Sequence, residues 1–152
     1  MALNLYEMDP QIYDEYISTR IETTNFNRVF DSVKRICDEK GPVKMLDLCC
    51  GTGNLPRKWL VKLKHIKYTG VDLNPNFIRF AKEKLKDDRF NFVVHDAVSF
   101  KAGKKFDIVL ATSSYHHIKD DKKRDFLKNI SDHLKDGGVL IVYEKMVGSF
   151  SD

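Results

Sequence analysis

Apolar residues at Phe26, Val29, Phe30, Val33, Ile36 and Cys37 recur at three- and four-residue intervals, the spacing of one buried helical face, and Gly41-Pro42 ends that helix. Ahead of it, Ile12, Tyr13 and Tyr16 suggest a shorter helix. Beyond Pro42 the pattern changes to short apolar runs of strand length: VKMLDLC (43–49), IKYTGVDL (66–73), FNFVVHD (90–96), FDIVLAT (106–112) and VLIVYEK (139–145). Helical stretches separate them. LPRKWLVKL (55–63) carries Pro56 in its first turn, and a second helix is capped by Asn74 and opened by Pro75, with Phe77, Ile78, Phe80, Ala81 and Leu85 as its apolar face. A third carries Phe126, Leu127, Ile130 and Leu134 and ends at Gly137-Gly138, whereas AVSFKAGKK has room for one short turn only. Strands alternating with helices predict an α/β fold, a mostly parallel sheet of about five strands with helices on both faces, because parallel neighbours need crossovers that cover the sheet.

The chain has 152 residues, 42% of them hydrophobic, which suits one domain: N-terminal helices over 1–41 and an alternating core over 42–146. No apolar stretch approaches the ~20 residues that cross a bilayer, and the acids in MALNLYEMDPQIYDEY do not suit a signal peptide. A soluble, cytoplasmic protein without a membrane partner is expected. Cys37, Cys49 and Cys50 form neither a disulfide framework nor a CxxC pair, in keeping with a reducing compartment. The formal charge of +4 arises from 26 basic and 22 acidic residues, so the surface is mixed; nucleic acid stays open as a partner but draws little support.

The candidate chemistry begins at LDLCCGTGN (46–54), after the first strand. In an open sheet, ligands bind beyond the carboxyl ends of the strands where the strand order reverses, and Gly51 and Gly53 let backbone approach a ligand. A pyrophosphate loop would read GxGxxG. Here Pro56 stands in place of the third glycine, and Asp47 precedes the loop, a carboxylate that suits a cationic amino group better than a phosphate. Asp72 ends the second strand, 21 residues after Gly51, where it can accept from both hydroxyls of a ribose. Asp96 ends the third, where it can accept from the exocyclic amine of adenine while the Ala97 amide meets a ring nitrogen. This row of acids fits adenosine joined to a cationic amino acid.

From about residue 43 to residue 145 the chain resembles the class I S-adenosylmethionine-dependent methyltransferases, through LDLCCGTGN, GVDLNPNFIRFAKEKL, VHDAVSF, FDIVLATSSYHHI and LKDGGVLIVYEK in the family's order. The resemblance implies a Rossmann-like three-layer sandwich and a transferase that moves a methyl group from S-adenosylmethionine to an unidentified O, N or C acceptor, leaving S-adenosylhomocysteine. It places the methionine moiety on Asp47 and the loop Cys49, Cys50, Gly51, Thr52 and Gly53. The ribose falls to Asp72 with Leu73, the adenine to Asp96 with Ala97, and the backbone after Leu110 flanks the sulfonium and the acceptor. Cys49 departs from the glycine most frequent there. The family's N-terminal helices lie over the cofactor, which makes Tyr13 or Tyr16 a candidate lid residue.

Plainer readings stand beside these. Asp47 and Asp72 could each cap the helix that follows, Cys49 and Cys50 could be small buried residues with no nucleophilic role, and KDDKKRDFLK looks like the solvated start of a helix. SSYHHIKDD lacks convincing metal-ligand spacing, so no metal is expected. His116 and His117, after the fourth strand, are surface residues or a general base on the acceptor; a loop gives no alternation to say which points inward. A non-catalytic cofactor-binding partner subunit and a nicotinamide-dependent oxidoreductase are the alternative functions, although the latter leaves Asp47 and Asp96 unexplained. Family members usually continue past strand five with a helix and an antiparallel strand pair, whereas this chain ends at MVGSFSD. Strand five, apolar at Val139, Leu140, Ile141 and Val142, is therefore expected as an edge covered by a second copy, a partner protein or the N-terminal segment.

Overall fold

The computed structural model describes residues 7–20 and 23–144. Two helices open it, α1 (Pro10–Arg20) and α2 (Thr23–Lys40), and five strands follow: β1 (Val43–Leu48), β2 (Ile66–Asp72), β3 (Phe90–Val94), β4 (Phe106–Thr112) and β5 (Leu134–Tyr143). Between them lie α3 (Asn54–Lys58), α4 (Pro75–Lys84) and α5 (Lys123–His133). The strands form one parallel sheet in the order β3-β2-β1-β4-β5. Alternate residues of β1 enter different cores, as the two-residue period of a strand requires. Met45 packs with Ile17, Val33, Leu55 and Ile78 of α1 to α4 on one face, and Leu46 and Leu48 pack with Phe126 and Ile130 of α5 on the other. The three-layer α/β expectation holds, with the turn Asp96–Phe100 and its neighbours filling the second face where β3 and β4 have no full helix between them.

Strands one and two each end one residue early, strand five runs Leu134–Tyr143 and not 139–145, and three further boundaries differ from the sequence reading. The stretch 55–63 is not one helix: α3 stops at Lys58, Trp59 departs from regular helical geometry (φ −119°, ψ −61°), and a 3-10 turn covers Leu60–Lys62. Trp59 is drawn to α2, where its indole N–H donates to Asn27 (2.6 Å) and its ring meets the Phe26 ring edge-on. The last helix ends at His133, short of Gly137-Gly138, because Leu134 already pairs with Phe106; the chain then bulges and regains register at Val139 opposite Ile108. Third, β3 ends at Val94, so His95 and Asp96 belong to the turn beyond it. Asn74 does cap α4, accepting from the amides of Asn76 (2.9 Å) and Phe77 (3.4 Å). Neither Asp47 nor Asp72 is a helix cap: α3 has Gly53 at its N-cap with no side-chain cap, and Asp72 bonds to backbone ahead of α4.

β5 lies at one edge of the sheet, as expected. Its exposed apolar residues are Leu140 and Val142; Val139 and Ile141 turn toward the α1–α4 face and are partly buried. Lys145 and the residues after it lie outside the described residues.

Candidate functional site

β1 has β2 on one side and β4 on the other, so the chain leaves β1 in one direction and later returns on the opposite flank. The crevice this opens at the carboxyl ends of the strands is a cleft of about 500 Å³. Asp47, Cys49, Cys50, Gly51 and Thr52 line it from β1 and its loop. Asp72 and Leu73 line it after β2, Asp96 and Ala97 after β3, and His117 after β4. Gly53 and His116 stand outside the lining.

Asp47 lies at the floor of the cleft, 1% exposed. Its Oδ2 accepts from the Tyr68 hydroxyl (2.6 Å), and its buried Oδ1 has no hydrogen-bond partner. Burial, with the Asp72 charge adding to it and the Tyr68 hydrogen bond opposing, pushes its pKa up from 3.8 to about 7. Tyr68 reaches it because Gly70, paired with Asp47 across the β1–β2 ladder, has no side chain: a Cβ there would stand 2.8 Å from the Tyr68 ring and 2.8 Å from the Cys50 sulfur. Neither Tyr68 nor Gly70 stood out in the sequence as part of the site.

Asp72, 8% exposed, accepts from the Gly51 amide (2.9 Å) through one carboxylate oxygen and from the Asn74 amide (2.9 Å) through the other. Burial raises its pKa in spite of those bonds. Cys49 takes φ +71°, the left-handed region that favours glycine, and its amide and that of Cys50 both donate to the Val71 carbonyl (2.8 and 2.9 Å). Burial, followed by the Asp72, Asp47 and Asp96 charges, pushes the Cys49 thiol pKa well up, so it is not an activated nucleophile. Asp96 is exposed and accepts from the Val98 amide (2.8 Å), an Asx-type bond that shapes the turn presenting Ala97 to the cleft.

A residue absent from the sequence reading ties the N-terminal helix to this loop. Asp14 of α1, 8% exposed, accepts from Thr52 Oγ1 (2.8 Å), Asn54 Nδ2 (3.0 Å) and Arg57 Nη2 (2.5 Å). Burial opposes its charge, but these three donors and the Arg57 cation hold its pKa below the ordinary carboxylate value. Thr52 thus spends its hydroxyl on α1. The adjacent Tyr13 lines the cleft, stacks on Phe77 with centroids 4.5 Å apart and lies against Gly51, while Tyr16 packs into the core. Of the two tyrosines, Tyr13 is the one over the cleft.

The two histidines lie ring to ring, and only His117 lines the cleft. His116 bonds through Nδ1 to Glu144 Oε2 (2.7 Å), and His117 stands at the rim of the cleft with its ring 3.8 Å from that of His116. Burial, then the His116 charge, lowers the His117 pKa, with Glu144 pulling the other way. Glu144 was also missed. The sequence reading placed it inside strand five, VLIVYEK; the signal for it was an acid near the carboxyl end of a strand, as Asp72 is.

An open parallel sheet with a cleft at its switch point, a glycine loop and acids at or just past the ends of three strands defines a Rossmann-like domain with a ligand cleft at the carboxyl ends of its strands. The methyltransferase domain family matches residues 46–140, and the chain belongs to the class I S-adenosylmethionine-dependent methyltransferase family. Malonyl-[acyl-carrier protein] O-methyltransferase 1 of Ilyobacter polytropus is 29% identical over 115 residues, 75% of this chain and 41% of that protein. An S-adenosylmethionine-dependent methyltransferase of Clostridium acetobutylicum superposes with TM-score 0.68 at 30% identity, over 91% of this chain and 57% of the other. A sugar N-methyltransferase of a Streptoalloteichus species does so with TM-score 0.73 at 27% identity, over 92% of this chain and 56% of the other. The chain spans less than half the length of the O-methyltransferase it matches.

Proposed function

We propose that this chain binds S-adenosylmethionine in the cleft and transfers its methyl group to an O, N or C nucleophile. The observation that carries the reading is the unpartnered Oδ1 of Asp47, buried at a cleft floor where an acceptor without a donor costs ~1–3 kcal/mol. An ammonium group placed there satisfies it and favours the carboxylate. The rest of the lining fits the same ligand: Asp72 for the ribose hydroxyls, Asp96 and the Ala97 amide for the adenine, and the Cys49–Thr52 backbone for the amino-acid end. Bound there, S-adenosylmethionine supplies a sulfonium methyl whose C–S bond breaks with both electrons going to sulfur as the new bond to the nucleophile forms.

The residues of this chain have to align, shield and accept a proton. Tyr13 and Phe77 wall one side of the cleft from water, and His117 at its rim, its cationic form disfavoured, can take the proton that an O–H or N–H acceptor gives up. The matched relatives act on a carrier-protein-bound malonyl group and on a sugar nitrogen, and the acceptor of this chain is of unidentified class among O, N and C nucleophiles. Among the described residues no helix is long and apolar enough to cross a membrane, and the three free cysteines suit the cytoplasm, which we propose as its location. We also propose that the outer edge of β5 is covered by a second copy or a partner protein. A thermal-shift comparison checks the cofactor: S-adenosylhomocysteine raises Tm and NADH does not. The reverse result would assign the cleft to a nicotinamide cofactor.

A further inference from the structure

We propose that Glu144 is a positioning residue for the acceptor side of the cleft, holding His116 outside it so that the His117 ring packed against His116 stands at the rim. The inference rests on the reading of the cleft as a methyl-transfer site. β4 leaves the sheet through Ser113, a non-glycine residue at φ +49° whose amide still donates to the Tyr143 carbonyl (2.7 Å) at the end of β5. The chain then turns sharply through Tyr115–His117, and the amides of Ser114 and Tyr115 are left without partners on their own strand.

Glu144 supplies them. Its Oε1 accepts from Ser114 N (2.7 Å) and Tyr115 N (2.6 Å), and its Oε2 bonds His116 Nδ1 (2.7 Å), with the side chain only 11% exposed. One carboxylate therefore fixes two consecutive amides and the first imidazole. With His116 tied toward β5, the His117 ring lies against it with centroids 3.8 Å apart, and His117 lines the cleft while His116 does not. The charged groups bearing on His117 are His116, on its own turn, and Glu144, beyond β5. A neutral amide in place of Glu144 could keep an oxygen for the two backbone donors but would meet His116 with an N–H, so the ring could bond it only with Nδ1 unprotonated; the carboxylate is what lets Nδ1 carry a proton there.

Ring-nitrogen and amide NMR on the full chain, with Glu144→Gln and Glu144→Ala, tests this. In the wild type we expect His116 Nδ1 to carry a hydrogen-bonded signature and the Ser114 and Tyr115 amides to exchange slowly. Glu144→Gln keeps the slow amides but loses the His116 signature and shifts the His117 ring signals with it. Glu144→Ala loses both, with amide exchange at least about tenfold faster. S-adenosylhomocysteine added to the wild type moves the His117 signals and leaves those of His116, and this difference disappears in Glu144→Ala. If Glu144→Gln leaves both rings as in the wild type, or if the ligand moves His116 and not His117, the proposal is overturned and Glu144 is an amide cap alone. Absence of S-adenosylhomocysteine binding by calorimetry would sink the cofactor reading separately, while the ring and amide signals of the free protein still decide the role of Glu144.

Discussion

Asp47 is where binding and stability oppose each other. Its folded-state pKa of about 7 stands above the ordinary 3.8, so between those values the folded chain holds a proton that the unfolded chain has released. Stability from this group is therefore full below the unfolded value, falls as pH rises through the window, and is flat above it. Asp47→Asn removes the buried charge and keeps an oxygen for Tyr68. We expect thermal denaturation without ligand to show it more stable than wild type at pH 8, by up to about 4 kcal/mol, and nearly equal at pH 4. The same substitution weakens S-adenosylhomocysteine at least about tenfold, because it removes the partner of the ammonium. Cys49 shows a smaller conflict. Its φ of +71° costs a non-glycine residue ~1–2 kcal/mol, which its burial partly offsets. In urea unfolding, Cys49→Gly should change stability by less than about 1 kcal/mol, whereas the β-branched Cys49→Val should lose more than about 2.

At the scale of elements, α1 is held to the glycine loop by one carboxylate with three donors. Asp14→Ala leaves Arg57 facing a vacated partner, and its Nε already lacks one, so we expect a loss of about 2 kcal/mol in urea unfolding and faster amide exchange in α1 than in α4. Because the Asp14 pKa is depressed, its contribution is present above the unfolded value and is lost as pH falls through the folded one. Most elements were legible because each carries its own period: β4 runs Phe106–Thr112 as read, and Asn74-Pro75 marks the start of α4. What escaped depends on distant contacts. Trp59 breaks its helix to meet Asn27, 32 residues away; Asp14 meets Arg57 across 43; Glu144 meets His116 across 28. Asp47 and Asp72 were visible as acids beside strand ends, but the Tyr68 bond depends on Gly70, whose role appears only when β1 and β2 are in register.

For the whole molecule, the sheet order puts the glycine loop at its centre and β5 at an edge. Leu140 and Val142 are exposed there, a surface suited to pairing. Sedimentation over a range of concentrations should show self-association that Val142→Lys abolishes without lowering Tm; a monomer at every concentration would contradict a homodimer. The central claim is that the acids at the strand ends hold S-adenosylmethionine. Titration calorimetry with S-adenosylhomocysteine, on the wild type and on Asp72→Ala, measures it most directly. The account predicts one site per chain and an affinity at least about tenfold weaker in the folded variant, from the loss of charge-assisted hydrogen bonds worth ~1.5–3 kcal/mol each. A folded wild type that does not bind, or a folded Asp72→Ala with unchanged affinity, would contradict it.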